Sequence, residues 1–316
     1  ILVKLKLLAT LNIGILFIKN NHQLKCSNDL LSCVLWNRVA IPGVKETLQR
    51  LTELGKNLYY VSNNGVKSFE LYQKQFEEIG VDINQDHLIQ PCVTIPKYLE
   101  SVGLKGCKIF ALVTPNVRAS LRAGGYEIVP APTEYPEDLR GIVAATKDDP
   151  EVAAVLIDMD FHFNYNSMLK AIRILKRPEV HYIVGATEKY LPLTDGPTIP
   201  GPGFFQDIVS STSGRTPVKI AKPSEFLKKT VMDTNDLIDH DMEFGTLCGF
   251  QKLFVQSGHS TLEDAISSSN PAHKPDFVVK SLGHLVQVCD RIFFDLSVSN
   301  FRLKMANIVF NDYIFL

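Results

Sequence analysis

Three short stretches of the chain carry side chains that could together hold a phosphate group. A Ser-Asn-Asn run at 62–64 supplies a hydroxyl and amides, and Lys222 supplies an ammonium group. Asp236 and Asp241 lie on an acidic loop. Hydroxyls, backbone amides and lysine bind phosphate oxygens, and carboxylates are the hard oxygen ligands that Mg²⁺ prefers. The combination predicts a phosphate site with Mg²⁺ as cofactor.

Each member of this set also has a simpler interpretation. Ser62 is of a type favoured at helix N-caps, so it could cap the helix that follows. Lys222 could be a solvated lysine, and the acidic loop could be a solvated turn. For each residue alone the simpler interpretation is favoured, so the phosphate hypothesis depends on the combination and its order along the chain.

The elements around Ser62 place it where ligands bind in open parallel sheets. Apolar residues at helical spacing predict a helix over 44–54, and residues 58–61 read as a short apolar strand. A second helix is predicted from Phe69 to Gly80. This alternation indicates an α/β unit with a parallel sheet, and ligands of such sheets lie at the carboxyl ends of the strands.

The middle of the chain repeats these α/β signals. Strands are predicted at 108–113, 152–158 and 181–184, and helices at 115–123 and 167–175. A Pro- and Gly-rich stretch at 192–203 marks a boundary. A helix at 222–231 and a strand at 251–255 then resume the first pattern. We interpret the middle segment as a domain inserted into a discontinuous core.

Composition excludes some classes of protein. The 316 residues are 45% hydrophobic and 21% charged with a formal net charge of −1, which is typical of a globular protein and not of a nucleic-acid binder. The 6 cysteines are scattered, which disfavours a zinc site and fits a reducing, cytoplasmic location. Residues 1–18 are apolar but carry lysines, so a membrane anchor there is marginal.

Together these stretches resemble a known family. The chain is similar to haloacid-dehalogenase-superfamily phosphatases with a large α/β cap, in particular the group of phosphoglycolate, pyridoxal (chronophin) and 4-nitrophenyl phosphatases. The matching stretches are VLW with AIPG (34–36, 40–43), ELGKNLYYVSNN (53–64), PEVAAVLIDMDFHFNY (150–165), PGPGFFQDIVSSTSGRTPVKIAKPSEFL (200–227), DHDMEFGTLCGFQKLFVQSGHSTLED (239–264) and PDFVVKSLGHL (275–285).

The resemblance implies a fold and a mechanism. The fold would be a Rossmann-like parallel-sheet core with an inserted α/β cap, and the substrate a small phosphorylated metabolite. An aspartate attacks phosphorus to form an aspartyl-phosphate, a second aspartate acts as acid and base, and Mg²⁺ neutralises charge. By position, the phosphate would be bound by Ser62, Asn63, Asn64 and Lys222, with Ser62 and Lys222 also catalytic. The metal ligands would be Asp236 and Asp241.

The chain departs from the family at the nucleophile. The position of the attacking aspartate is Leu30, that of the acid/base is Ser32, and Cys33 replaces a glycine. Leucine offers neither a nucleophile nor a metal-ligating oxygen. The substrate loop of the cap is shortened at 186–189. The sequence therefore predicts a phosphomonoester hydrolase scaffold that is impaired in this chain, or alternatively an inactive pseudophosphatase that binds a ligand or a partner.

The resemblance also implies an organisation. We expect core residues at 30–92 and 208–285 and a cap at 93–207, with homodimers forming through the cap. Residues 1–29 and 286–316 match nothing in the family and have no assignment. Since both ends depart while the middle matches, we expect mispredicted terminal exons or a decaying gene copy.

Overall fold

The structure is a computed structural model. Helices and short strands alternate along the chain from residue 44 to 184, as predicted for an α/β fold. The residues that it describes are 35–36, 39–40, 42–53, 58, 60–133, 136–191, 198–232, 246, 253–255, 263, 267, 269–275, 277–279, 281–285 and 313–315.

The first α/β unit is built from short strands and two amphipathic helices. Strand β3 pairs in parallel with β4, with Tyr60 opposite Leu88. On the second helix, Tyr72 and Phe76 are fully buried one turn apart, because residues four apart share a helix face. The elements are β1 (Leu35–Trp36), β2 (Val39–Ala40), α1 (Val44–Glu53), β3 (Tyr60–Val61), α2 (Phe69–Glu78) and β4 (Leu88–Ile89).

The middle of the chain forms a parallel sheet, which among the described residues has the strand order β11-β8-β7-β5-β6. Its central strand reads VAAVLI, a continuous apolar run, since helices cover both faces of the sheet. The strands are β5 (Lys108–Leu112), β6 (Glu127–Val129), β7 (Val152–Ile157), β8 (His181–Val184) and β11 (Val218–Lys219).

Two apolar clusters lie on opposite faces of this sheet. Successive residues of β5 show the alternation: Ile109 packs in one cluster with Leu99 and Val117, and Phe110 packs in the other with Ile174. The helices are α3 (Pro91–Ser101), α4 (Pro115–Ala123), α5 (Leu139–Ala145), α6 (Tyr165–Ile174) and α7 (Pro202–Ser213).

The remaining described elements are β9 (Tyr190–Leu191), β10 (Ile199–Pro200), α8 (Glu225–Met232), β12 (Leu253–Val255), β13 (Phe277–Val279) and β14 (Tyr313–Phe315). Strand β13 pairs in parallel with β12 and antiparallel with β14, which lies in the tail left unassigned by the sequence. The hydroxyl of Thr47 on α1 donates to the carbonyl of Leu282 at 3.2 Å. Residues early and late in the chain therefore pack together.

The predicted α/β fold is confirmed, with small shifts at element ends. Helix α8 begins at Glu225 and not at Lys222, because a residue before proline is disfavoured in helical conformation, and Ser224 Oγ accepts from the first turn. The cap limits at 93 and 207 stay a prediction; α7 runs across the second limit, and β11 lies beyond it. Within the described ranges, no helix combines the length and apolarity needed to cross a bilayer.

Candidate functional site

Ser62 lies at the carboxyl end of β3, as predicted. Its backbone N–H donates to the carbonyl of Ile89 on the neighbouring strand at 2.8 Å. Its hydroxyl lies 3.2 Å from the Tyr72 hydroxyl and accepts from the backbone N–H of Asn64 at 3.1 Å. The residue is only 5% exposed. The hydroxyl is thus held in one place by its own loop and by the helix that follows.

Asn64 closes the turn after Ser62. Its Oδ1 accepts from the backbone N–H groups of Val66 at 2.8 Å and Lys67 at 3.2 Å, which is a side-chain mimic of a backbone turn. Ser68 then caps α2 through its hydroxyl. The capping alternative for Ser62 is therefore wrong, because the chain must complete this turn before helical hydrogen bonding can begin.

Asn63 joins the loop to Lys222, which is far away in the sequence. Its Oδ1 accepts from the backbone N–H of Lys222 at 3.0 Å, and its Nδ2 donates to the carbonyl of Lys222 at 3.2 Å. The ammonium group of Lys222 donates to the carbonyl of Val61 at 3.3 Å. The structure thus brings the Ser-Asn-Asn loop and the lysine together at one edge of β3, while their chemical roles stay a prediction.

The same loop is fixed to helix α4. The hydroxyl of Thr114 donates to the carbonyl of Gly65 at 2.6 Å, and the side-chain amide of Asn116 donates to the carbonyl of Lys67 at 2.9 Å. A Cβ added to Gly65 would lie 2.9 Å from Val117, so a larger residue there would force the buried Val117 side chain to move. The loop therefore lies between β3 and the start of α4 with its backbone groups bonded.

A carboxylate from the shortened loop at 186–189 reaches the site. Glu188 Oε1 accepts from Asn63 Nδ2 at 3.0 Å, and the Glu188 carbonyl accepts from the backbone N–H of Gly203 at 3.0 Å. The side-chain amide of Gln206 donates to the carbonyl of Ala186 at 2.7 Å. Helix α7 thereby holds this loop, which places Glu188 beside the loop that carries Ser62.

Asp158 directly follows β7 and is 1% exposed. Its Oδ1 accepts from the backbone N–H of Ala186 at 3.0 Å. The pKa of this carboxyl is raised to about 7, mainly by burial; backbone hydrogen bonds from Ala186 and Met159 lower it in part, and the charge of Glu188 adds a smaller increase. The group is therefore partly protonated near neutral pH.

A second perturbed group lies on the same loop. Burial lowers the pKa of Lys67 to about 8, and its ammonium group donates to Gln75 Oε1 at 3.3 Å. It also lies 5.6 Å from the centre of the Tyr72 ring, which favours its charged form through a cation–π contact. Lys67 therefore remains mainly cationic at neutral pH and adds positive charge near Ser62.

Leu30, Ser32, Asp236 and Asp241 lie outside the described residues. The assignment of Leu30 and Ser32 to the nucleophile and acid/base positions stays a prediction, and so does the role of Asp236 and Asp241 as metal ligands. In the described part of the chain, no group of three or more His, Cys, Asp or Glu side chains could hold a metal ion.

Sequence reasoning missed the two carboxyl groups beside the site. Asp158 was treated as the end of an apolar strand and Glu188 as part of a loop that departs from the family. A signal for Asp158 was available, since an aspartate at the carboxyl end of the run VAAVLI is placed where ligands bind. The contact between Glu188 and Asn63 joins residues from different elements, and no local pattern indicates it.

The turn between β7 and α6 is held by contacts of its own, which support the fold. Phe163 stacks on Phe205 with ring centres 4.2 Å apart. Asn164 caps α6 in a reciprocal arrangement with Ser167. Asp160 accepts from the backbone N–H of His162 at 2.9 Å. These contacts order the turn between β7 and α6.

Comparison with known proteins agrees with this geometry. Residues 30–127 match the haloacid dehalogenase-like hydrolase family. The chain is 30% identical over 275 residues to the glycerol-3-phosphate phosphatase of Gallus gallus, covering 80% of this chain and 88% of that protein. It is 28% identical over 275 residues to chronophin of Rattus norvegicus, covering 80% and 84%.

A solved structure shows the same fold. The p-nitrophenyl phosphatase from Archaeoglobus fulgidus superposes with a TM-score of 0.65 at 23% identity, over 81% of this chain and 95% of that one. The fold, the position of the Ser-Asn-Asn loop beside Lys222, and the similarity to named relatives agree. The chain belongs to the haloacid dehalogenase-like hydrolase family.

Proposed function

We propose that this chain has the phosphate-binding part of a phosphomonoester hydrolase site, and that its ligand is a small phosphorylated metabolite. The observation that carries the proposal is the junction of Lys222 with the Ser-Asn-Asn loop, where Asn63 bonds both backbone groups of the lysine. Such a junction gathers a hydroxyl and an ammonium group at the end of one strand. Each of these groups favours a phosphate dianion.

In this proposal each residue has a separate task. The hydroxyl of Ser62 donates to a phosphoryl oxygen, and Lys222 balances the charge of the phosphate. Asn63 fixes the lysine backbone and Asn64 fixes the turn, so that the donors are oriented before the ligand arrives. Ligands of the phosphoglycolate, pyridoxal phosphate or 4-nitrophenyl phosphate type share the phosphate group that these residues would recognise.

Asp236 and Asp241 are proposed as the residues that would hold Mg²⁺. When bound, the ion would neutralise negative charge on the phosphate. The proposal rests on the family resemblance and on the carboxylate chemistry of the two residues. The tasks proposed for Ser62 and Lys222 do not depend on the metal ion.

We infer that this chain turns over phosphomonoesters slowly or not at all. Leu30 stands at the nucleophile position and Ser32 at the acid/base position, so no carboxylate is available there to attack phosphorus or to protonate the leaving group. The loss of a nucleophile lowers turnover by orders of magnitude. The alternative, a pseudophosphatase that retains phosphate binding for recognition, is what the literal sequence favours.

A paired assay tests this proposal. We expect no turnover of 4-nitrophenyl phosphate with Mg²⁺ by the chain itself, and turnover by a Leu30→Asp/Ser32→Asp/Cys33→Gly version. The matched control is Asp236→Asn in the repaired version, which should abolish the recovered activity. Turnover by the unrepaired chain that Asp236→Asn removes would contradict the inferred impairment.

Calorimetry with inorganic phosphate tests the binding site independently of turnover. We expect the unrepaired chain to bind phosphate, and Lys222→Met to weaken binding by roughly tenfold, since it removes a charge-assisted hydrogen bond. The control is Lys45→Met on the exposed face of α1, which should leave binding unchanged. Equal phosphate binding by the parent and Lys222→Met would contradict the proposed site.

A cytoplasmic location and a homodimer formed through the cap are further parts of the proposal. The dimer is supported by the family resemblance, and the location by scattered cysteines. Sedimentation at increasing protein concentration would test the dimer, because a monomer at all concentrations contradicts it.

A further inference from the structure

A cavity of about 610 Å³ lies beside the first α/β unit, at the amino end of β3. Leu58 precedes this strand, Tyr60 begins it, and both residues line the cavity. Phe69 and Gln73, which lie four residues apart and so share one face of α2, line it as well. Cavities of this volume take up small molecules, and their lining decides which ones.

The segment that returns from α2 to β4 supplies the rest of the lining that matters here. After α2, Gly80 takes a left-handed conformation with φ of +72°, and the backbone N–H of Val81 donates to the Phe76 carbonyl at 3.0 Å. The segment then alternates, with Val81 and Ile83 buried and Asp82 exposed between them. All three line the cavity, which therefore has an apolar floor and a charged edge.

The hydroxyl of Tyr60 is a polar group in that floor. The residue is 2% exposed, and its ring packs edge-to-face on Phe76 with ring centres 4.9 Å apart, which fixes its direction. In the described part of the chain this hydroxyl has no hydrogen-bond partner. The unbonded side-chain atoms that are fully enclosed belong to Gln90, Asp158 and Glu188 instead. The Tyr60 hydroxyl therefore has open space beside it, and the cavity is the space that Tyr60 lines.

The cavity is separate from the candidate phosphate site, since neither Ser62 nor Lys222 lines it. Among the described residues that do line it, Asp82 is the acid, His87 is also present, and none is a lysine or an arginine. This lining disfavours a phosphate or a carboxylate and favours a positive charge at the edge. Burial raises the pKa of Tyr60, so its hydroxyl stays protonated and can both donate and accept.

We propose that this cavity is a ligand site of its own, which binds a small aromatic amine that carries a hydroxyl group on its ring. The ligand's ring packs on the aromatic rings of Tyr60 and Phe69, and its hydroxyl bonds the Tyr60 hydroxyl. Its ammonium group lies beside Asp82 at the edge. This proposal does not depend on the proposed phosphate function.

Calorimetry with tyramine tests the site, because tyramine has a ring hydroxyl at one end and an ammonium group at the other. We expect the parent to bind it, and Tyr60→Phe, which keeps the buried ring, to bind it about tenfold more weakly. Phenethylamine lacks the ring hydroxyl and should bind the parent and Tyr60→Phe equally. Absence of tyramine binding by the parent at millimolar concentration, or equal tyramine affinity in the two proteins, would overturn the proposal.

A matched pair of variants tests the charge at the edge. Asp82→Asn should weaken tyramine binding about threefold, since an exposed carboxylate contributes modestly. Asp86→Asn changes an exposed aspartate of the same segment that does not line the cavity, so it should leave the affinity unchanged. Equal effects of the two variants, or binding of 4-hydroxyphenylacetate as tight as that of tyramine, would overturn the placement of the ammonium group.

Two further measurements separate this site from a folding defect and from the phosphate site. Urea unfolding should find Tyr60→Phe as stable as the parent, because its hydroxyl has no partner to lose; a clearly less stable variant would mean that the hydroxyl is already bonded, which contradicts the proposal. Inorganic phosphate should not displace tyramine. Displacement would place tyramine at the Ser-Asn-Asn loop and overturn the separate site.

Discussion

The loops that follow β3 and β7 both lie at the carboxyl ends of strands. They differ in whether their polar side chains have all their hydrogen bonds. After β3, Asn63 uses its carbonyl oxygen and its amide to bond groups on two other segments. After β7, Asp158 leaves one buried oxygen without a donor. An amide both donates and accepts, whereas a carboxylate only accepts. The comparison shows that one loop joins distant segments through a side chain that both donates and accepts, whereas the other encloses a carboxyl group that, when ionised, can only accept.

The largest expected effect comes from removing the amide that joins the two loops. Asn63→Ala loses hydrogen bonds to Lys222 and Glu188, so we expect the free energy of unfolding to fall by about 3 kcal/mol. Urea unfolding at pH 7 measures it. The control is Asn84→Ala, which removes one exposed hydrogen bond and should lower stability by less than about 1 kcal/mol. Equal losses in the two variants would contradict the joining role of Asn63.

An intermediate effect is expected where the second loop is packed most tightly. In Gly185→Ala the added methyl group would lie 2.5 Å from Asp158 Cγ, so the carboxyl group or the loop must move. Overpacking of this kind lowers the free energy of unfolding by about 2 kcal/mol. Adding Asp158→Ala should recover part of the loss, because it removes the atoms that the methyl group meets. No recovery in the double variant would show that Gly185 is sensitive for another reason.

The smallest effect is expected at the contact that orients Ser62. Tyr72→Phe removes the hydroxyl that lies 3.2 Å from Ser62 Oγ and keeps the buried ring, so the free energy of unfolding should fall by about 1 kcal/mol. Tyr190→Phe is the control, since that side chain is exposed and should change stability little. A similar small change in both variants would mean that Ser62 is held by its own loop alone.

Local patterns predicted much of the fold. The apolar run at 152–157 and the helices that begin at Phe69 and Pro115 lie where periodicity and turn residues place them. The order of the motifs also predicted that Ser62 follows a strand. These features depend on neighbours within one or two turns of the chain, and such information is present in any short window of sequence.

The contacts that define the site could not be predicted from local sequence patterns. The capping role fell to Ser68 instead of Ser62, and α8 begins three positions after Lys222, because a turn and a proline intervene. Asp158 showed no local sign that its carboxyl group would be closed over by Gly185 and Gly65. A pKa near 7 results from burial by distant segments, which no window of sequence displays.

The sequence by itself determined the order and type of the elements, because backbone propensity is a local property. It also determined which chemical groups are available, namely a hydroxyl, amides and a lysine. Which of these groups meet was decided by the folded chain. The parallel sheet and the packing of α4 and α7 bring Asn63, Lys222 and Glu188 to one edge. Desolvation, ion pairing and proton retention depend on such long-range approach, so they exist only once the tertiary structure has formed.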